Sequence, residues 1–279
     1  MTTQKLRETA AQGDALAQNK LGWMYMNGEG VEQDFAQAVK WYRLAAEKGF
    51  AGAQSSLGLM YATGECVAQD YAEAWKWFRL AAEQGDATAQ NNLGLMYADG
   101  CGVAQNHAEA AKWYRCAAEQ GDATAQNNLG WMYINGYGVA QDYAEAANWY
   151  RCAAEQGDAE SQYNLGLMYA DGCGVSQDYT EAVKWYRRNA EQGVAKAQNK
   201  LGSMYMDGHG VEQNYVEAVT WYRRAAEQGD AMAQYNLGIM YAEGCGVEQG
   251  FAQAVKWFRL AAEQGIPQAQ KALESLDGQ

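Results

Sequence analysis

The sequence predicts an all-α protein, an αα-superhelical solenoid of seven 36-residue helix-turn-helix repeats, on three observations. Leu-Gly recurs at a fixed interval, at Leu21-Gly22, Leu57-Gly58, Leu93-Gly94, Leu129-Gly130, Leu165-Gly166, Leu201-Gly202 and Leu237-Gly238. A Met-Tyr pair follows in step, from Met24-Tyr25 to Met240-Tyr241. Apolar residues around these marks fall at spacings of three and four, the period of a helix. One such unit is too small to bury its own apolar face, so the units must stack and share a continuous core.

The elements follow in chain order. Residues 1–13 match a worn second helix of the repeat, with Arg7 in phase with Arg43 and Gly13 with Gly49, and are read as an N-terminal capping half-repeat. Seven repeats then run over 14–265 with no linker. In the first, Asp14 is the N-cap of helix A, Ala17, Leu21, Met24 and Tyr25 form its apolar face, and Gly28 stops it in a left-handed conformation. Asp34 opens helix B. In most copies the Asp or Asn at this position is followed three residues later by Glu, as in Asp70/Glu73, Asn106/Glu109 and Asp178/Glu181, the pattern of a capping box. Ala38, Trp41, Tyr42 and Ala45 make the apolar face of helix B, which stops at Gly49. Gln33 and its equivalents are expected to satisfy backbone groups of the loop between the helices. Residues 266–279, with the one proline of the chain at Pro267 and Leu273 still in phase, are the C-terminal capping helix.

Composition narrows the function. The net charge is −13, so the electrostatic footprint of a nucleic-acid binder is missing and no nucleic-acid partner is expected. No apolar run approaches the ~18 residues of a membrane helix, which argues against membrane insertion. The N-terminus, Met-Thr-Thr-Gln-Lys-Leu-Arg-Glu, lacks the apolar stretch of a signal peptide, so the expectation is a cytoplasmic chain, or a periplasmic or secreted one if a leader has been removed. The six cysteines fall at only three positions of the repeat. Equivalent residues of adjacent repeats should lie roughly 10 Å apart, beyond the ~7 Å between Cα atoms that a disulfide spans, so free thiols are expected.

The Leu-Gly-x-Met-Tyr of helix A and the Ala-x3-Tyr of helix B, as in Ala38 to Tyr42 and Ala110 to Tyr114, resemble tetratricopeptide repeats. The Gly-x-Gly-Val connection and the longer period depart from them. With that connection, and with Trp-Tyr/Phe-Arg on helix B (Trp41-Tyr42-Arg43 to Trp257-Phe258-Arg259), residues 14–265 resemble the Sel-1-like repeat family. The resemblance implies a right-handed superhelix that serves as an adaptor or scaffold, common in bacterial signalling, secretion and host contact. Some secreted bacterial members carry cysteine pairs that staple helices in each repeat, and weak penicillin binding has been attributed to some of them. The cysteines here do not follow such a pairing.

Comparing the copies with one another separates packing from function. Positions that never change, such as Gln18, Leu21, Met24, Tyr25, Gly28, Trp41 and Arg43, are read as structural, because each copy must pack on the next. Positions that change lie on a second face of helix A, at Leu16, Asn19, Lys20, Trp23 and Asn27 and their equivalents. If helix A lines the inner curve, this face is a concave groove. Its candidate binding residues are Asn19, Trp23, Asn91, Asn92, Asn127, Asn128, Trp131, Tyr163, Asn164, Asn199, Tyr235 and Asn236. Asparagine is an indifferent helix former, so a row of it asks for a reason. Its amide offers a donor and an acceptor, which suits the backbone of an extended peptide, while the aromatics supply rigid contact area. The alternative is that these amides bond neighbouring helices or face water.

Catalytic signatures are missing. The chain has no Ser-x-x-Lys, no His-Glu-x-x-His and no phosphate-cradling loop. Its two histidines are His107, read as a packed substitute for the Tyr/Phe of its position, and His209. The loop row Glu29, Glu65, Cys101, Tyr137, Cys173, His209, Cys245 cannot converge on one metal ion at ~10 Å per repeat, so neither metal nor cofactor is expected. The sequence therefore points to a non-catalytic scaffold that binds a protein or extended peptide in its groove. The other readings are a structural or oligomerising solenoid and a weak β-lactam-binding hydrolase like the cysteine-rich relatives.

Overall fold

A computed structural model describes residues 2–277. The regular structure of the described residues is helical throughout. The helices form two compact units that meet in the chain between Asp142 and Tyr143. The first unit holds α1 (Thr3–Ala11), α2 (Ala15–Asn27), α3 (Phe35–Glu47), α4 (Ala51–Thr63), α5 (Tyr71–Glu83), α6 (Ala87–Asp99), α7 (His107–Glu119) and α8 (Ala123–Asn135). The second holds α9 (Tyr143–Glu155), α10 (Ala159–Asp171), α11 (Tyr179–Glu191), α12 (Ala195–Asp207), α13 (Tyr215–Glu227), α14 (Ala231–Glu243), α15 (Phe251–Glu263) and α16 (Pro267–Asp277). From α2 onward the even-numbered helices are A helices and the odd-numbered ones B helices. Within each unit every helix packs on the next in the chain, the arrangement of the αα-solenoid class.

The ends of the helices are set by the residues the sequence marks. Asp14 Oδ1 accepts from the Ala17 N–H at 2.7 Å, and Asp86, Asp122, Asp158 and Asp230 cap their A helices in the same way. At the B helices, Asp70 Oδ1 accepts from the N–H groups of Ala72 and Glu73, both at 3.0 Å. The reciprocal half of the capping box does not form. The Asp70 N–H donates instead to the Tyr61 carbonyl at 2.9 Å, and Glu73 pairs with Lys76 at 2.5 Å. Asn106 repeats this, donating to the Tyr97 carbonyl while Glu109 turns to Lys112. The preceding A helix thus supplies the acceptor that the glutamate would have supplied, and the glutamate is free to pair along its own helix.

The core is a ladder of small and large residues. Leu21, Leu57, Leu93, Leu129, Leu165, Leu201 and Leu237 are all inaccessible, and Leu57, Leu93 and Leu201 share their clusters with the inaccessible B-helix alanines Ala38, Ala74 and Ala182. The glycine after each leucine lets the two helices of a repeat close. A Cβ on Gly94 would lie 2.6 Å from the Tyr114 ring, and one on Gly202 would lie 2.7 Å from the Tyr222 ring.

Three side-chain relays explain the other invariant positions. Buried Gln90 donates through Nε2 to the Ala82 carbonyl of the preceding B helix at 3.1 Å and accepts through Oε1 from Gln120 Nε2 at 2.7 Å. Gln54, Gln162, Gln198 and Gln234 repeat the two bonds. One buried amide thus has both its donor and its acceptor met, and ties the end of the preceding B helix to a glutamine at the end of the following one. Arg43 Nη2 donates to the Tyr61 hydroxyl of the next repeat at 2.8 Å, and Arg115, Arg187 and Arg223 reach Tyr133, Tyr205 and Tyr241 likewise. Gln33 Nε2 donates to the Met26 carbonyl at 2.8 Å, closing the loop as its position predicts, with Gln69, Gln105, Gln177, Gln213 and Gln249 in step.

Two copies depart from these rules. Lys48 stands where later repeats have glutamine. Its Nζ turns to the Gly13 carbonyl, and Gln18 Oε1 is left buried without a partner. Cys66 stands where the other six copies have glycine, and holds φ at 70°. A side chain in that conformation costs roughly 1–2 kcal/mol.

A candidate binding face on the A helices

The face singled out in the sequence divides by repeat position. Trp23, Leu59, Leu95 and Trp131 occupy one position of α2, α4, α6 and α8 and are 44 to 50% exposed. One turn away lie the amides. Asn128 Nδ2 donates to Asn91 Oδ1 of the neighbouring A helix at 3.1 Å, and Asn236 does the same to Asn199 at 3.1 Å. Asn92 Nδ2 donates to the Thr88 carbonyl at 2.9 Å. Asn164 hydrogen-bonds the Tyr150 hydroxyl. Asn127 is buried, and Asn19 keeps its Oδ1 buried and without a partner. Part of the asparagine row is therefore tied up between helices, while the Asn91 Nδ2 hydrogens and the second hydrogen of Asn128 point to no described acceptor.

The two tyrosines of the row sit differently from the tryptophans. The Tyr163 ring packs on Tyr186 at 5.9 Å and the Tyr235 ring on Phe258 at 5.7 Å, each pair tilted and within one repeat. Such pairs add to the burial of their own area. Burial pushes the hydroxyls of Tyr114, Tyr150 and Tyr186 well above the ordinary phenol range, and that of Tyr222 to about 12, against a lowering effect of its bond to Ser203. All four stay protonated at neutral pH and act as packing and hydrogen-bonding groups.

The tryptophans of the B helices are packing residues, as their position predicts. Trp185 and Trp221 are buried, with Arg188 and Arg224 lying over their rings at 4.7 and 4.6 Å. Trp41, Trp77, Trp113 and Trp257 are half-buried. His107 is indeed an aromatic substitute: its ring stacks on Tyr137 at 5.1 Å. The six cysteines are free thiols, and among the described residues no group of His, Cys, Asp and Glu could hold a metal. No helix of the described residues is long and apolar enough to cross a membrane.

Sequence reading did not find the pocket on this face. An open cavity of about 280 Å³ lies between α4 and α6, lined by Leu59 and Leu95, by Tyr71 and Phe78 of α5, and by Asn92, Asp99 and Cys101. Its only signal in the sequence is the loop position that alternates between rings, Tyr137 and His209, and the smaller Cys101, Cys173 and Cys245.

With this geometry the comparisons agree. The Sel1 repeat matches seven times, at residues 15–50, 51–86, 87–122, 123–158, 159–194, 195–230 and 231–266, and the chain belongs to the Sel1 repeat family. Repeats of this family generally mediate protein–protein interaction. The chain is similar to a protective antigen present in uropathogenic Escherichia coli strains, whose crystal structure displays an SLR fold: 41% identity and a TM-score of 0.94 over 98% of this chain. It spans 58% of that relative's length. It is also similar to a Sel1 repeat protein from Oxalobacter formigenes, with 36% identity and a TM-score of 0.75 over 97% of this chain and 78% of the other. Among curated proteins none matches.

Proposed function

We propose that the protein is a non-catalytic scaffold that binds a segment of a partner protein along the exposed face of its A helices. The observation that carries this reading is the stripe of Trp23, Leu59, Leu95 and Trp131, one large apolar side chain per repeat, left open to solvent. Scattered exposed apolar residues need no explanation, but a contiguous row in register marks an interaction surface. Beside the stripe, Asn91 and Asn128 hold each other in place and offer their remaining amide hydrogens to a peptide carbonyl. Asn19, Asn92 and Asn127 flank this stretch. Tyr163, Asn164, Asn199, Tyr235 and Asn236 form a second stretch on the other unit, where the rings already pack on their own repeat.

The test compares the intact chain with a Trp23→Ala, Asn128→Ala, Trp131→Ala variant after circular dichroism shows that both are equally helical. A photoreactive side chain at Leu95 should cross-link a partner from source-cell lysate in the intact background and lose it in the variant. Equal cross-linking and retention by both would overturn the assignment. A second reading, the oligomerising solenoid, is favoured by an apolar pocket of about 540 Å³ lined by Phe251, Ala252, Val255 and Leu276. A mass that rises with concentration in sedimentation equilibrium, and falls with Val255→Asp, would favour it.

A further inference from the structure

At one loop position the repeats differ while their backbones agree. Tyr137 places its ring on His107, with centroids 5.1 Å apart and planes 22° apart, and His209 places its ring on Tyr179 at 4.7 Å and 12°. In each case the loop of one repeat rides on the first residue of the preceding B helix, held there by the glycine that follows the ring. A Cβ on Gly138 would lie 2.0 Å from the His107 carbonyl oxygen, and one on Gly210 would lie 2.2 Å from that of Tyr179. Gly102 seats its loop on Tyr71 in the same way, also at 2.2 Å. The Tyr71 ring is anchored like that of Tyr179: Gln69 Nε2 donates to its hydroxyl at 2.9 Å, as Gln177 does to Tyr179 at 3.0 Å. What differs is the residue facing it. Cys101 stands where His209 and Tyr137 place rings, so Tyr71 remains 40% exposed and lines the 280 Å³ pocket.

We propose that this pocket docks an aromatic side chain of the partner segment, stacked on Tyr71, with an adjacent lysine or arginine of that segment paired to Asp99. The inference rests on the reading of the A-helix face as a protein-binding surface, and it specifies what that surface selects. Three observations fix the occupant. The chain itself fills the equivalent place with a ring in two other repeats. The cavity is below the ~300 Å³ at which drug-sized ligand sites begin, a size that suits one side chain held by its backbone. Asp99 is the charged residue of its lining and forms no ion pair among the described residues, so a cationic neighbour on the partner is attracted and an acidic one repelled.

The experiment uses the isotope-labelled full chain and two capped pentapeptides, one with a central tyrosine flanked by lysines and one with leucine in its place. The tyrosine peptide should shift the amide signals of Tyr71, Leu95 and Asp99 saturably at millimolar concentration, about fivefold more tightly than the leucine peptide. Cys101→Tyr places in the pocket the residue that Tyr137 shows the fold accepts at this position, and it should abolish those shifts. Asp99→Asn should weaken binding about threefold and reduce its salt dependence. Shifts at Tyr71 that survive Cys101→Tyr, or equal affinity for the two peptides, would overturn the pocket. Shifts confined to Trp23, Asn128 and Trp131, unchanged by Cys101→Tyr, would also overturn it while leaving the wider face standing. With neither peptide perturbing the A-helix face, the pocket falls and the face is judged by partner cross-linking alone.

Discussion

Across residues 15–135, Trp23, Leu59, Leu95 and Trp131 stand at one repeat position and all remain exposed; across residues 159–243 the same position holds Leu167, Ser203 and Ile239, and all three are partly covered. The difference lies one turn earlier. Tyr163 and Tyr235 replace the asparagine of Asn91 and lie against Tyr186 and Phe258, and Leu167 and Ile239 pack into the same clusters. Ser203 bonds the Tyr222 hydroxyl at 3.1 Å. Both units use one helix pair, and in two repeats of the second the face is turned inward onto its own repeat. The same module thus serves either as a surface or as extra core, and in the repeats of Tyr163 and Tyr235 it is a ring at a single position that turns the face into core.

What the two units share should fail equally in both. Gly94→Ala and Gly202→Ala each drive a Cβ into the near edge of a tyrosine ring buried between helices, at 2.6 and 2.7 Å. Alanine would gain about 1 kcal/mol of helix propensity, but overpacking costs about 1–3 kcal/mol, and about 3 kcal/mol here because the ring cannot swing aside as the end of a flexible chain could. A net loss of about 2 kcal/mol is expected at each site. Hydrogen exchange resolved by repeat is the measurement, because a repeat array need not unfold in one step. A loss at one site alone would mean that the two units do not share this packing.

The second comparison sets surface against core. Tyr163→Ala should cost about 1–2 kcal/mol in its own repeat, since it removes a half-buried ring from an aromatic pair. Trp131→Ala, at 47% exposure, should cost less than about 1 kcal/mol and yet weaken partner binding more. The reverse order, a stability loss at Trp131 and a binding loss at Tyr163, would invert the assignment of the two stretches.

How far the sequence discloses this follows from what repeats. Every A and B helix was legible, because core positions recur at a fixed interval and the caps and glycine stops recur with them. The reason that Gln18 and its equivalents never change was not. The two bonds of Gln90 join residues 8 and 30 positions away, and only the packing of three helices brings them together. The asparagine row was visible as a row, but its use was not: Asn128 meets Asn91 across a separation of 37, one repeat plus one residue, an offset set by how adjacent A helices slide. The pocket was hidden for a similar reason. Cys101 and Tyr71 are 30 residues apart, and nothing in either residue announces that the two line one pocket.

The smallest expected effect sharpens the contrast inside the second unit. Asn189 is inaccessible where Ala45, Ala81, Ala117, Ala153, Ala225 and Ala261 are inaccessible alanines, so the space is already shaped for a methyl group. Its Nδ2 donates to the Ala159 carbonyl at 2.6 Å, and its Oδ1 is buried without a partner. Removing the orphaned acceptor relieves about 1–3 kcal/mol, and losing the one bond costs about 0.5–1.5 kcal/mol. The balance favours alanine: Asn189→Ala should stabilise α10 and α11 by about 1 kcal/mol, read as slower hydrogen exchange there and none elsewhere. Faster exchange after the substitution would show that the bond to Ala159 outweighs the orphaned oxygen, and that this repeat keeps its asparagine for the strength of that bond.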